Sequence, residues 1–167
     1  MACCGGLRNR LSCPGDGRRA ARAPGAGRPV SLSITGRDSL YQDRMKHNPG
    51  FLRLVDDARA RVAETDVAAV HARIERGDAY RLIDVREDSE WDGGHIPGAT
   101  HIGRGVLERD IEALIPDPGA DIVLYCGGGY RSVLAADALQ RMGYTSVKSM
   151  AGGFRGWEAA DLPVEGA

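Results

Sequence analysis

The sequence predicts an α/β fold in which a parallel sheet is covered by helices on both faces. Three observations predict it. From residue 45 onward, stretches with helical periodicity alternate with short β-rich runs, the pattern of strand–helix–strand crossovers. Ile122-Val123-Leu124-Tyr125 is an unbroken apolar run, the mark of a strand buried on both faces. Gly77 and Gly143 stand where helices need a left-handed terminating residue. Sheets of this kind bind ligands beyond the carboxyl ends of their strands.

The elements follow in order. Phe51, Leu54, Val55, Ala58 and Val62 form a helical stripe after Asn48-Pro49-Gly50. Thr65 is the expected N-cap of a second helix, with Val67, Val70, His71 and Ile74 on one face; His71 there is a packed helix residue rather than a ligand. Tyr80–Val85 and Thr100–Gly103 are short strand candidates. Leu107, Ile111, Leu114 and Ile115 predict a helix ending at Pro116-Asp117-Pro118-Gly119. After the 122–125 run, a helix is expected from about Arg131 or Ser132 to Met142, buried through Ala135, Ala138, Leu139 and Met142. Ser146–Met150 reads as a last strand, and Phe154–Ala160 as a terminal helix after Gly152-Gly153.

Residues 1–44 differ in kind. They carry eight Arg and three acids, net +5, whereas residues 45–167 are net −6. Seven Gly and three Pro fall in the first 36 residues, with no hydrophobic period, so this stretch buries too little surface to offset ordering entropy. Gly and Pro at that density oppose the amphipathic helix of an organellar transit peptide, and no apolar h-region of a secretory signal follows the early arginines. The expectation for 1–44 is a disordered extension, or a mis-called start with Met45 as the initiator. Cys3, Cys4 and Cys13 lack the partner pair of a metal site and read as tail thiols.

Composition excludes several classes of function. The chain of 167 residues is 43% apolar, enough for one core, and its formal charge is −1. Near-balance argues against a surface that coats nucleic acid or anionic lipid. No run reaches the length of about 18 apolar residues that a membrane helix needs. Four cysteines, three of them in the first 13 residues, are no disulfide scaffold and point to a reducing, cytoplasmic setting. Nothing specifies a metal or an organic cofactor.

The chemistry concentrates at Cys126, which ends the buried strand and is followed by Gly127-Gly128-Gly129-Tyr130-Arg131-Ser132. Consecutive glycines let several backbone N–H groups turn toward one point, and the next helix aims its N-terminal amides there. Such a cradle favours a thiolate, and Arg131 adds a permanent positive charge. A lone cysteine at a strand end is often only a small hydrophobe, and a glycine-rich turn sometimes holds a nucleotide phosphate. No G-x-x-x-x-G-K-[ST] or G-x-G-x-x-G pattern supports the nucleotide alternative.

C-G-G-G-Y-R-S (126–132) resembles the active-site loop of rhodanese-type sulfurtransferases, C-x-x-G-x-R, with Gly129 and Arg131 at its fixed positions. L-I-D-V-R-E (82–87), G-H-I-P-G-A (94–99) and G-G-F-R-G-W (152–157) match further family segments in the right order, and the resemblance spans about residues 66–160. It implies a rhodanese-like fold with a small five-stranded parallel sheet flanked by helices. It leaves 1–44 unexplained; the expected organisation is a disordered or mis-called extension (1–44), an N-terminal helix packed on the domain (45–65) and a single rhodanese domain (66–167).

The resemblance also implies roles. Cys126 is the nucleophile that carries sulfane sulfur as a persulfide, and the amides of Gly127, Gly128, Gly129, Tyr130, Arg131 and Ser132 hold the terminal sulfur. Arg131 orients an anionic donor and balances the thiolate, while Tyr130 is either a wall of the pocket mouth or an idle exposed ring. Asp84 and Arg86 fix loops by hydrogen bonding, His95 is a turn residue satisfied by backbone groups, and Trp91 and Trp157 are packing residues. The implied partners are thiosulfate or another small sulfane-sulfur donor, a thiol or cyanide acceptor, and a sulfur-relay protein. Rhodaneses efficient with thiosulfate often carry a basic residue inside the loop, and here positions 127–129 are all glycine. A persulfide on a small thiol or a protein is therefore the expected donor. A rhodanese fold serving only as a binding module is the alternative from another class. Cysteine phosphatases and arsenate reductases are the weaker enzymatic one. Phosphatases use a loop one residue longer than the six residues from Cys126 to Arg131.

Overall fold

A computed structural model describes residues 47–166. The expectations placed on 1–44, including Cys3, Cys4 and Cys13, lie outside the described residues.

The elements are α1 (Pro49–Arg59), β1 (Ala63–Thr65), α2 (Val67–Arg76), β2 (Arg81–Asp84), α3 (Asp88–Asp92), β3 (Thr100–His101), α4 (Leu107–Leu114), β4 (Ile122–Tyr125), α5 (Tyr130–Arg141), β5 (Val147–Met150) and α6 (Gly153–Ala159). The five strands form one parallel sheet in the order β1-β5-β4-β2-β3. β4 lies at its centre, and all of its residues are buried.

Alternation along β4 divides the core between two faces. Ile122, Leu124 and Cys126 join Val55 and Ala58 of α1, Leu107 and Ile111 of α4, and Val133, Ala136 and Leu139 of α5. Val123 and Tyr125 join Val70 of α2 and Phe154 and Trp157 of α6. Cys126 thus continues the face covered by α1 and α5. No helix among the described residues is long and apolar enough to cross a membrane.

Two elements depart from the expectation. Ala63–Thr65, expected to close the leading helical segment with Thr65 as the next N-cap, is the edge strand β1, paired with Lys148–Met150. Asp66 caps α2 instead, its Oδ1 accepting the Ala69 N–H at 2.7 Å. A three-residue strand is too short to show a period, and its pairing comes from β5, some eighty residues away. The sheet therefore begins ahead of residue 66. The short helix α3 was not expected; it is started by a capping box between Glu87 and Glu90. The α1 stripe holds at Val55, Ala58 and Val62, but Leu54 is exposed.

Candidate active site

Cys126 sits at the carboxyl end of β4, 1% exposed, on the floor of an open cavity of about 450 Å³. Its Sγ accepts the Gly129 N–H at 3.2 Å and the Ser132 hydroxyl at 3.7 Å. Ser132 Oγ in turn accepts the hydroxyl of Ser149 at 2.8 Å, and both serines are fully buried. The floor is thus a chain of donors running Ser149–Ser132–Cys126. Gly129, the N-cap of α5, has φ +87° and lends no side-chain cap to the first-turn amides of α5. A Cβ at Gly129 would lie 3.2 Å from Gly152 N and from Met150 O, which explains why this position is glycine.

The loop is held from outside by α6. Phe154 N–H donates to Cys126 O at 2.7 Å and Arg155 N–H to Gly127 O at 3.0 Å. These bonds occupy the carbonyls of Cys126 and Gly127. Gly153 permits the approach. A Cβ there would overlap the Cys126 carbonyl oxygen, and its φ is +56°.

Arg131 lines the cavity, but its fork is engaged. Its two terminal nitrogens donate to the Glu90 carboxylate at 2.7 and 2.8 Å, with Glu87 3.7 Å away. Those hydrogen bonds hold the Arg131 pKa above its ordinary value and the Glu90 pKa below its own. Arg155 is the second cation of the cavity. Its Nε donates to Gly127 O at 3.2 Å, and its guanidinium lies 3.1 Å from where a Cβ of Gly128 would stand. The mouth is completed by His47, Phe51 and Tyr130: the His47 ring centroid is 4.3 Å from that of Tyr130 and 5.0 Å from that of Phe51. Tyr130 is half-buried against this wall rather than free in solvent.

The expected supporting residues take their places around the site without lining the cavity. Asp84 is fully buried and Arg86 nearly so. They form a close ion pair at 2.7 Å, and Arg86 also donates to Gly94 O at 2.7 Å. His95 pairs through its main chain with Glu165, and its ring stacks on Trp91 at 3.5 Å. Its Nδ1 is buried without a hydrogen-bond partner among the described residues, so no backbone group satisfies the ring there. Trp157 is buried, with its indole N–H on Pro163 O at 2.7 Å. His71 packs edge-on against Trp157.

Residues 66–160 match the family model described as "Rhodanese-like domain". The chain belongs to the rhodanese-like domain family. Among curated proteins, the chain is 35% identical over 102 residues to "Putative sulfurtransferase YtwF" of Bacillus subtilis (strain 168), covering 61% of this chain and 96% of that one. It is 29% identical over 96 residues to "Putative sulfur carrier protein YrkF" of the same organism; the match spans 58% of this chain and only 51% of YrkF. Among solved structures it resembles RPA3614 of Rhodopseudomonas palustris CGA009, described as a "Protein of Unknown Function" and "Possible Tyrosine Phosphatase". That likeness has a TM-score of 0.64 at 32% identity and covers 72% of this chain and 97% of the other.

Sequence reasoning missed five residues of the candidate site: Glu90, Arg155, Ser149, His47 and Phe51. Glu90 was signalled by the E-x-x-E spacing from Glu87, and Arg155 lay inside the matched G-G-F-R-G-W segment. Ser149 and the His47–Phe51 wall left no local signal. They reach the site only through the pairing of β5 beside β4 and the packing of α1 on α5.

Proposed function

We propose that this protein is a sulfurtransferase that carries sulfane sulfur on Cys126 as a persulfide. The observation that carries this reading is the Cys126 floor: a buried sulfur supplied with an amide donor and a hydroxyl donor, beneath uncapped first-turn amides, in an open cavity. Donors aimed at a sulfur stabilise its anion, and the first-turn amides of α5 would receive a second anionic sulfur. In the first half-reaction the Cys126 thiolate attacks the outer sulfur of the donor. A new S–S bond forms, the donor's own S–S bond breaks, and the leaving group (sulfite from thiosulfate, a thiolate from a persulfide) departs with the electron pair. In the second, an acceptor thiolate or cyanide attacks the terminal sulfur and regenerates the Cys126 thiolate. The cycle is ping-pong and balances without an external oxidant or reductant.

Membership of the rhodanese family and the likeness to YtwF support this reading. Thiosulfate, a small-molecule persulfide and a persulfide on a relay protein are the donors of matching chemistry, and a reducing compartment such as the cytoplasm keeps the thiol available. The phosphatase reading is disfavoured by a loop of six residues from Cys126 to Arg131 and by the capture of Arg131 by Glu90, which occupies the fork a phosphate would need. A purely structural module is disfavoured by the donors arranged on Cys126. The test is intact mass after incubation with thiosulfate and, separately, with a low-molecular-weight persulfide. The expected result is a gain of one sulfur in the wild type and none in Cys126→Ser. No gain with either donor, or a gain that persists in Cys126→Ser, overturns the proposal.

A further inference from the structure

We infer that Arg155, outside the active-site loop, is the cation that selects and holds the anionic group of the sulfur donor; this deepens the sulfurtransferase reading and rests on it. The cavity has two guanidinium groups, and their surroundings differ. Arg131 is matched by Glu90 in a two-point ion pair, with Glu87 close behind, so little of its charge is left for a ligand. Arg155 is exposed and has no acidic partner within ion-pair distance among the described residues. Its only side-chain hydrogen bond there is from Nε to the Gly127 carbonyl, which tethers the guanidinium at the rim of the cavity it lines and leaves both terminal nitrogens without a hydrogen-bond partner among the described residues.

The position of Arg155 gives it this role. Its guanidinium is 3.7 Å from where a side chain would begin at Gly127 and 3.1 Å from where one would begin at Gly128. It fills the space that loop side chains would otherwise occupy. The glycines of the loop therefore do not leave the mouth without a cation. They admit one from α6, 28 residues beyond Gly127 in the chain. A planar fork suits a sulfonate or carboxylate, and the tether to Gly127 reduces the entropy lost when that anion binds. The ligand class is a sulfane-sulfur compound with an anionic group next to the transferable sulfur, thiosulfate and thiosulfonates being its simplest members. The Tyr130–Phe51–His47 wall leaves room beside the anion for an organic substituent.

The experiment uses the full chain and two readouts. In the steady state, Arg155→Gln is expected to raise KM for thiosulfate roughly ten- to a hundredfold while kcat stays within about twofold. Arg155→Lys is expected to recover part of the loss. The wild-type KM should rise with ionic strength, and that dependence should flatten in Arg155→Gln. The second readout needs no sulfur chemistry: the rate at which iodoacetate alkylates Cys126, divided by the rate for uncharged iodoacetamide. The ratio should fall in Arg155→Gln and survive in the Glu90→Gln/Arg131→Gln double variant, in which the matched pair is removed without changing net charge. If Arg155→Gln still loads sulfur with unchanged KM and an unchanged alkylation ratio, or if the folded double variant loses the ratio, Arg155 is not the anion site. If the wild type never loads sulfur, the sulfurtransferase reading fails, and the alkylation ratio alone decides whether an anion site exists at Arg155.

Discussion

The floor and the rim of the cavity are built on different terms. The floor consists of Cys126, Gly129, Ser132 and Ser149, all buried, three of them within seven residues of chain and the fourth on the adjacent strand. Its donors are fixed by backbone geometry and by a hydroxyl chain that has no access to water. The rim consists of His47, Phe51, Tyr130 and Arg155, exposed or half-buried and drawn from both ends of the described chain. Reactivity of the sulfur belongs to the floor, and the choice of what meets it belongs to the rim. The same division separates what a substitution destroys from what it retunes.

The largest effect is expected where the floor depends on a neighbouring helix. Gly153→Ala forces a Cβ onto the Cys126 carbonyl oxygen and onto Gly127, at a φ of +56° that alanine adopts only under strain. The Phe154 and Arg155 amides would then lose the loop carbonyls. Denaturant unfolding should show a loss of about 3 kcal/mol or more, with sulfur loading abolished in whatever remains folded. Gly50→Ala is the matched control. Its added Cβ meets only the flexible end of Arg53 at 3.8 Å, and it should be neutral or slightly stabilising. A Gly153→Ala protein as stable and active as the wild type would mean that α6 does not hold the floor.

An intermediate effect is expected at Glu90, the residue that ties α3 to the loop. Arg131 lowers its pKa in the folded state below the ordinary 4.5. A carboxylate lowered on folding stabilises the fold above its unfolded pKa, and that contribution is lost as pH falls through the folded value. The pair is partly exposed, so solvent screening limits it to about 1 kcal/mol or less. Glu90→Gln should cost about that much at pH 7, and its stability should converge on that of the wild type only as pH falls below 4.5 and through the lowered folded value. Urea midpoints measured from pH 3 to 7 check this; parallel curves for the two proteins would remove Glu90 as a titrating clamp.

How far the site could be read from the sequence follows the same floor-and-rim division. Cys126, Gly129 and Ser132 were legible because loop geometry is written in consecutive residues: a buried run, then glycines, then a helix. Four of the five strands were equally accessible through the alternation of strand and helix, whereas their order in the sheet comes only from the fold. β1 was not, because three residues show no period and only β5 makes them a strand. Arg131 was read as the cation that meets the donor, since charge is visible in a sequence and its partner is not. Only the fold brings Glu90, 41 positions earlier, against it. His47 and Phe51 were hidden more deeply, for nothing in N-P-G-F announces that α1 begins at the cavity mouth.

The smallest effects are expected inside the floor's hydroxyl chain, where they separate a direct donor from an indirect one. Ser132→Ala removes the hydroxyl that donates to Sγ, a long contact at 3.7 Å, and leaves the Gly129 amide in place. Alkylation of Cys126 by iodoacetamide at pH 7 should slow by about two- to fivefold. Ser149→Ala removes only the donor to Ser132, whose own hydroxyl still reaches the sulfur, so its rate should change by less than about twofold. Both variants should keep the wild-type preference for iodoacetate over iodoacetamide, because neither touches Arg155. If Ser149→Ala slowed alkylation as much as Ser132→Ala, the two hydroxyls would be acting as one cooperative unit on the sulfur rather than as a donor and its support.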